Sequence, residues 1–421
     1  MKILWFTNAP CGATEKLTGK PVTGGGWLYA LSENLITNPE IELHIAFYWG
    51  EAMPEFTHKG ITYHPVLRNG DGSKFGRVIQ NYTRFFFTSN YSIELARLKE
   101  VIAKVSPDVI HIHGSEDNFG LLAKEGLPQP IVLSVQGLLS PIYNKLYAGF
   151  TKEEIKQSET WLDILTCSGI AAKDKSMRRR SALERDFFPY IKHVIGRTSW
   201  DKACTLALNP NRNYHVVGEI LRNEFFGKKW NKSSFSTPFV LTSVISFGFF
   251  KGYETIFRTA QILKRNNFDF RWNVIGALPS DSAVKLSEKL CQCSANSLNI
   301  NLLGRKSAAE MVEIMLQSDT FVQVSHIENS PNSLCEAMLL GMPCIATFAG
   351  GTASMLENNV EGRLLQDGDP YAMAGMIMEM AADNEQARAF GRKAAERAAE
   401  RHKPERVCKQ LMDVYNEILI Q

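Results

Sequence analysis

Glu328 and Glu336 flank seven residues, Asn329-Ser-Pro-Asn-Ser-Leu-Cys335. Two carboxylates so placed can accept hydrogen bonds from a hydroxyl-rich ligand. The residues between them can hold an anion. Phe321-Val-Gln-Val-Ser325 alternates as a short parallel strand does, and Pro331 and Asn332 break it. Ser333 then opens an apolar run, Leu334-Cys335-Ala337-Met338-Leu339-Leu340, which stops at Gly341. This pattern predicts strand, loop and helix, with Ser333 as N-cap and Gly341 at the C-terminus. Free amides at a helix start, with the macrodipole behind them, suit phosphate, so Asn332, Ser333 and Leu334 are candidate anion ligands. The competing structural reading is a capping box, in which Glu336 only satisfies the Ser333 amide.

Other segments carry chemistry of the same kind. Lys251-Gly252 lies between a predicted strand and a helix near 253–265, where a point charge beside a close backbone approach suits a diphosphate. Thr23-Gly24-Gly25-Gly26-Trp27 opens a helix, and Gly25 and Gly26 allow amides to approach an anion; a flexible loop is the competing reading. His111 and His113 share one face of a predicted strand without an obvious third metal ligand, and no metal or cofactor is expected. Lys173, Lys175, Arg178, Arg179, Arg180 and Arg185 crowd one helix, as a solvated face or as a contact for anionic lipid or an acceptor diphosphate.

From His326 onward the chain resembles the retaining glycosyltransferases of family 4, which carry an E-x7-E signature. Glu328 and Glu336 fit it, followed by Gly341-Met-Pro343, Cys344-Ile-Ala-Thr347, Gly350-Gly351, Glu361-Gly362 and Asp367-Gly-Asp369-Pro370. The resemblance implies a GT-B fold: α/β, with two doubly wound Rossmann-like domains facing each other across a cleft. It implies a nucleotide-diphosphate sugar donor, with Glu336 on the ribose hydroxyls, Glu328 at the transferred sugar and Lys251 at the diphosphate. His113 resembles the family's active-site histidine, hydrogen bonding to the sugar or acceptor. Gln136 stands where many relatives carry a histidine and can bind a sugar without acting as an acid or base. Gly196-Arg197-Thr198-Ser-Trp200-Asp201 resembles bacterial capsule-type members. The family's diphosphate arginine falls on Ser246, and Arg197 and Arg305, each near the end of a predicted strand, are the candidate replacements.

The elements that must position these residues follow from length and pattern. A chain of 421 residues exceeds one core, and strand and helix patterns alternate throughout, which predicts parallel sheets wrapped by helices. Strands are expected near 2–8, 41–47, 61–66, 108–113, 130–135, 193–197 and 213–218, then 239–245, 270–275, 299–303, 320–324, 343–347 and 363–365. The expected division is an acceptor-side domain over 1–226, a linker over 227–238, a nucleotide-sugar domain over 239–400, and a helix over 401–421 packing back on the first domain. A net charge of +3 does not imply a nucleic-acid partner. The apolar stretch near Met1 is too short for a signal peptide, Phe239 to Phe250 falls short of a membrane span, and eight scattered cysteines suit a reducing compartment. A cytoplasmic enzyme is expected, peripheral on the inner membrane face if the basic helix meets lipid. Its expected role is transfer of the sugar to a saccharide or lipid-linked acceptor in bacterial surface-polysaccharide synthesis. The rivals are a GT-B sugar-nucleotide epimerase and a degenerate nucleotide-sugar-binding protein, the latter suggested by Ser246.

Overall fold

The computed structural model describes residues 1–19, 26–68, 82 and 91–420. The strands β1 (Lys2–Thr7), β2 (Glu42–Trp49), β3 (Phe56–His58), β4 (Ile61–Leu67), β5 (Val109–His113), β6 (Ile131–Ser134), β7 (His193–Gly196) and β8 (Asn213–Val216) form one sheet. Its order is β3-β4-β2-β1-β5-β6-β7-β8. Neighbours run parallel, except that β3 is antiparallel to β4. A second sheet contains β9 (Phe239–Val244), β10 (Phe270–Ile275), β11 (Ile300–Gly304), β12 (Thr320–Gln323), β13 (Cys344–Thr347) and β14 (Arg363–Leu365), ordered β11-β10-β9-β12-β13-β14 and parallel throughout.

Strands covered by helices on both faces read as unbroken apolar runs rather than alternating ones. In β1, Ile3 to Thr7 are all buried, and β12 and β13 are buried end to end. Helices lie between the strands, each burying a stripe. Ser92–Val105, for example, buries Glu94, Leu98, Ile102 and Val105, the three-to-four spacing of one helical face. The last helix, Pro404–Ile420, buries Val407, Leu411, Val414, Tyr415 and Ile418. These side chains join the core of the first sheet, with Ile3, Trp5 and Leu31, each worth about 1.5–3 kcal/mol when fully buried. Trp5 Nε1 donates to Tyr415 Oη at 3.0 Å, fastening the end of the chain to its first strand.

In each sheet the strand order reverses at the first strand in sequence. β1 is flanked by β2 on one side and β5 on the other, and β9 by β10 and β12. Ligands of open parallel sheets gather beyond the carboxyl ends of strands at such switch points. The segments of interest therefore follow β1, β5, β9 and β12.

Candidate functional site

Beyond β12 the chain runs Val324-Ser-His-Ile-Glu328. Glu328 Oε1 accepts from Lys251 Nζ at 2.5 Å and from Ser325 Oγ at 2.8 Å. Two glycines allow the backbones to meet here. Gly252 has φ +81°, and a Cβ on it would lie 2.1 Å from Val324 O; a Cβ on Gly350 would lie 2.0 Å from Glu328 O. Lys251 is thereby held against the exit of β12, and Gly351 N donates to Glu328 O at 2.9 Å.

The next helix spans Asn332–Leu340 and ends at Gly341 in the left-handed region. Its N-cap is Pro331 and makes no side-chain cap, a correction to the Ser333 cap expected from sequence. Proline supplies no amide and Ser333 already lies inside the first turn, so the capping box does not form. Leu334 N and Cys335 N both donate to Pro331 O, at 3.0 and 3.1 Å. The first-turn amides left for an anion are therefore those of Asn332 and Ser333, and Asn332 Oδ1 is buried without a partner among the described residues. Glu336 instead accepts a two-pronged bond from Arg222: Nε to Oε1 at 2.6 Å and Nη2 to Oε2 at 2.6 Å. Burial pushes this carboxyl above its usual range, with the guanidinium pulling the other way. Sequence reading missed Arg222. It lies in the irregular joint between β8 and β9, where no periodicity marks it.

At the first sheet's switch point, His113 ends β5, fully buried, with neither ring nitrogen bonded among the described residues. It stacks on His111 at 3.8 Å and meets Trp5 edge-on at 4.4 Å. Burial holds its pKa well below the ordinary value, aided by His111 and Arg197, so it is a neutral imidazole with one donor and one acceptor. His111, by contrast, bonds Tyr415 Oη and Ser134 Oγ, each at 2.6 Å, and is structural. A second residue overlooked in the sequence is Glu116. Its oxygens accept from Asn8 Nδ2 and Gly137 N, both at 3.1 Å, so the ends of β1, β5 and β6 converge on it. Burial raises its carboxyl to about 7. Its position just after the glycine that closes β5 was the available signal.

The two halves touch around these groups. Asn329 Nδ2 donates to Gln136 O at 3.2 Å, and Thr198 Oγ1 donates to Asn329 Oδ1 at 3.0 Å. Lys145 Nζ lies 3.3 Å from Asp367 Oδ2, whose same oxygen bonds His326 Nδ1 at 2.9 Å; His326 Nε2 reaches Glu254 Oε1 at 2.8 Å. Asp367 and Asp369 have Asp-x-Asp spacing, and Asp369 caps the helix Pro370–Ala382 through Tyr371 N and Ala372 N. Arg197 is buried, 3.2 Å from Glu219 Oε2 and 4.9 Å over the Trp27 ring. Its charge is thus neutralised within the joint. Glu219 also lies near Cys335 and His402 as a ligand-like trio; its Oε1 accepts from Ser330 Oγ, while Oε2 faces the Arg197 charge without a hydrogen bond among the described residues. Arg305 is exposed just beyond β11, and Ser246 is exposed beyond β9. Gly26 opens the helix Gly26–Leu35; Gly25 lies outside the described residues. Arg178 and Arg180 are exposed on the helix Ile170–Phe187, with Arg179 half-buried. Arg180 donates to Glu116 O through Nε at 3.1 Å and Nη2 at 2.6 Å.

Residues 226–397 match the family model "Glycosyl transferases group 1". Among curated proteins, N-acetyl-alpha-D-glucosaminyl L-malate synthase of Bacillus anthracis is 29% identical over 28% of this chain and 30% of its own length. Amylovoran biosynthesis glycosyltransferase AmsK of Erwinia amylovora is 24% identical over 41% of this chain and 42% of its own. The chain spans less than half the length of these two relatives. Among solved structures, sucrose-phosphate synthase from Thermosynechococcus elongatus superposes with a TM-score of 0.74 at 16% identity, covering 100% of this chain and 99% of that one. Anabaena HepE, solved with UDP and glucose, gives 0.66 at 15% identity, covering 99% and 100%. The fold is GT-B, two Rossmann-like parallel sheets in one chain.

Proposed function

We propose that this chain, whose residues 226–397 form a group 1 glycosyltransferase domain, moves a sugar from a nucleotide-diphosphate sugar to a saccharide or lipid-linked acceptor with retention at the anomeric carbon. The observation that carries this reading is the Lys251–Glu328 pair at the β9/β12 switch point, just ahead of a helix start with two unbonded amides. Lys251 and the amides of Asn332 and Ser333 oppose the charge that grows on the leaving diphosphate. A cation and amides fixed in advance stabilise that charge without reorganising, and no metal is required for that work. Glu336 takes the ribose hydroxyls. Glu328 faces the sugar, where it binds hydroxyls and steadies the positive charge developing at the anomeric carbon.

On the acceptor side, His113 offers an unbonded ring nitrogen and Glu116 an unusually basic carboxylate, with Gln136 between them and the donor loop. In a front-face return, the bond from anomeric carbon to diphosphate oxygen breaks while the acceptor oxygen bonds the same face, and the acceptor proton passes to the departing phosphate. Peripheral membrane contact belongs to the same reading. Beside the basic helix, Trp161, Ile164 and Leu165 are exposed, Trp161 by 74%, and no helix of the described residues is long and apolar enough to cross a membrane. Bacterial surface-polysaccharide synthesis is the proposed setting, in line with the amylovoran relative.

The test is release of nucleoside diphosphate from UDP-, GDP- and ADP-sugars, with and without saccharide acceptors. UDP-glucose comes first, because a protein of this fold was solved with UDP and glucose. Release that grows on adding an acceptor supports transfer; equal release without acceptor favours an epimerase, and none with any donor favours a binding protein.

A further inference from the structure

Glu336 is 2% exposed. A carboxylate buried so deeply takes up a proton unless a cation faces it. Arg222 is that cation, and its two-pronged bond meets both oxygens, 2.6 Å to each. Each oxygen keeps one further lone pair, outside the fork. The rest of the guanidinium is placed by soft contacts: Met311 Sδ lies 3.5 Å from Nη1 and 3.4 Å from Nη2, and the Phe225 ring lies 5.0 Å away. The arginine stem leans on the first half of the chain. A Cβ added to Gly26 would meet its Cγ at 3.0 Å and its Cδ at 3.2 Å. One side chain on the joint thus touches the glycine that starts the first domain's helix and the buried carboxylate of the second domain.

We propose that Arg222 is the positioning residue of nucleotide binding: its fork fixes the plane of the Glu336 carboxylate so that the two outer lone pairs receive the ribose 2′- and 3′-hydroxyls. The inference rests on the reading of Glu336 as the ribose ligand. Lysine at this position keeps a charge but loses the plane, because an ammonium is a point donor. Methionine removes both. Without the cation, burial leaves Glu336 protonated at a higher pH, and a carboxylic acid is a poorer acceptor for two hydroxyls. Discrimination for ribose must then weaken as pH falls.

The experiment compares ribonucleotides with their 2′-deoxy forms, using UDP and 2′-deoxy-UDP, and the ADP and GDP pairs, by titration calorimetry from pH 5.5 to 8. Wild type is expected to prefer the ribo form about tenfold or more at every pH, the scale of a charge-assisted hydrogen bond. Glu336→Ala loses the preference throughout. Arg222→Met keeps part of it at pH 8 and loses that as pH falls; Arg222→Lys holds a flat profile at a reduced ratio. A wild-type ratio with a flat profile in Arg222→Met, while Glu336→Ala loses its preference, overturns the role of Arg222. A preference retained by Glu336→Ala, or no nucleotide binding at all, overturns the ribose reading instead. Should Arg222→Met fail to fold, the flat but reduced ratio expected of Arg222→Lys carries the same decision, and a wild-type ratio there overturns the proposal.

Discussion

Lys251 Nζ and Glu328 Oε1 lie 2.5 Å apart, joining two loops 77 residues apart in sequence. Each side chain is largely but not fully covered, 17% and 16% exposed. On the proposed reading, a cation and an anion are thus set side by side where two opposite charges develop in glycosyl transfer, negative on the leaving diphosphate and positive on the sugar. Neither loop could bring them together without the close backbone approaches at Gly252 and Gly350.

The Glu116 carboxyl should reveal itself through stability. Glu116 binds its proton more tightly folded, at about 7, than its ordinary 4.5. A carboxyl raised in this way costs stability as pH climbs from 4.5 through 7. Glu116→Gln keeps the acceptor oxygen and removes that cost. Its unfolding free energy should exceed that of wild type at pH 8, by on the order of 1–2 kcal/mol after solvent screening, and come close to it near pH 5. An equal difference at both pH values contradicts the perturbed carboxyl.

The tie across the halves also weakens as pH rises, but as a stabilising interaction that is lost rather than a cost that appears. Burial lowers His326, but its bonds and charge contacts with Glu254 and Asp367 outweigh burial and raise it above 6.5. Its contribution is complete below 6.5 and is lost as pH rises through the raised value. Asp367 also feels burial upward, yet His326 and Lys145 hold it below 3.8, so its share is present above 3.8 and lost only in stronger acid. Between pH 6 and 9, wild type should therefore lose more urea-unfolding free energy than His326→Gln. Parallel losses in the two proteins argue against a protonated His326.

How much of this could be read from the sequence depends on element length. Strands such as β1 and β12 are buried on both faces and stand out as apolar runs, and every strand of the second sheet falls within a residue or two of its expected place. The three-residue edge strand β3 and the helices Leu139–Asn144, Lys152–Gln157 and Trp161–Leu165 did not show. Five or six residues give less than two helical turns, too few for a 3.6-residue period to emerge. Glu328 and Lys251 stood out in the sequence through the E-x7-E spacing and the Lys251-Gly252 pair, and the fold brings the two side chains together. Arg222 did not stand out, since only the folded chain brings it to a carboxylate 114 positions away, and Ser333 was misread because a serine before an apolar run looks like a cap wherever the helix begins.

Restoring a second cation should strengthen donor binding. Ser246 is exposed just beyond β9, and Arg197 is held by Glu219 and Trp27 rather than standing free. Ser246→Arg adds a planar fork suited to a diphosphate. Nucleoside-diphosphate affinity should rise roughly threefold to tenfold, ~0.7–1.4 kcal/mol, most at low ionic strength. A fall in affinity, or a gain independent of salt, places the diphosphate elsewhere. Arg305→Ala serves as the companion, lowering affinity only if that arginine reaches the same group.

The basic helix gives a separate readout. Replacing Arg178, Arg179 and Arg180 with serine should move the protein from anionic phosphatidylglycerol vesicles to the supernatant in co-sedimentation, each charge contributing about 1 kcal/mol near such a surface. Wild-type binding should itself weaken as salt rises. Because Arg180 also bonds Glu116 O, the variant's unfolding midpoint is measured beside it. Equal partitioning of both proteins at low salt reduces the helix to a solvated face.

The most direct measurement is donor turnover by wild type and Lys251→Ala, followed as release of nucleoside diphosphate from the preferred nucleotide sugar, with the unfolding midpoint recorded for both. Loss of a preorganised cation at a leaving group should cut the rate by roughly two to three orders of magnitude, while a largely loop-borne lysine leaves the midpoint nearly unchanged. Turnover within about twofold of wild type, only ~0.4 kcal/mol, would contradict the placement of the leaving diphosphate at Lys251 and Glu328.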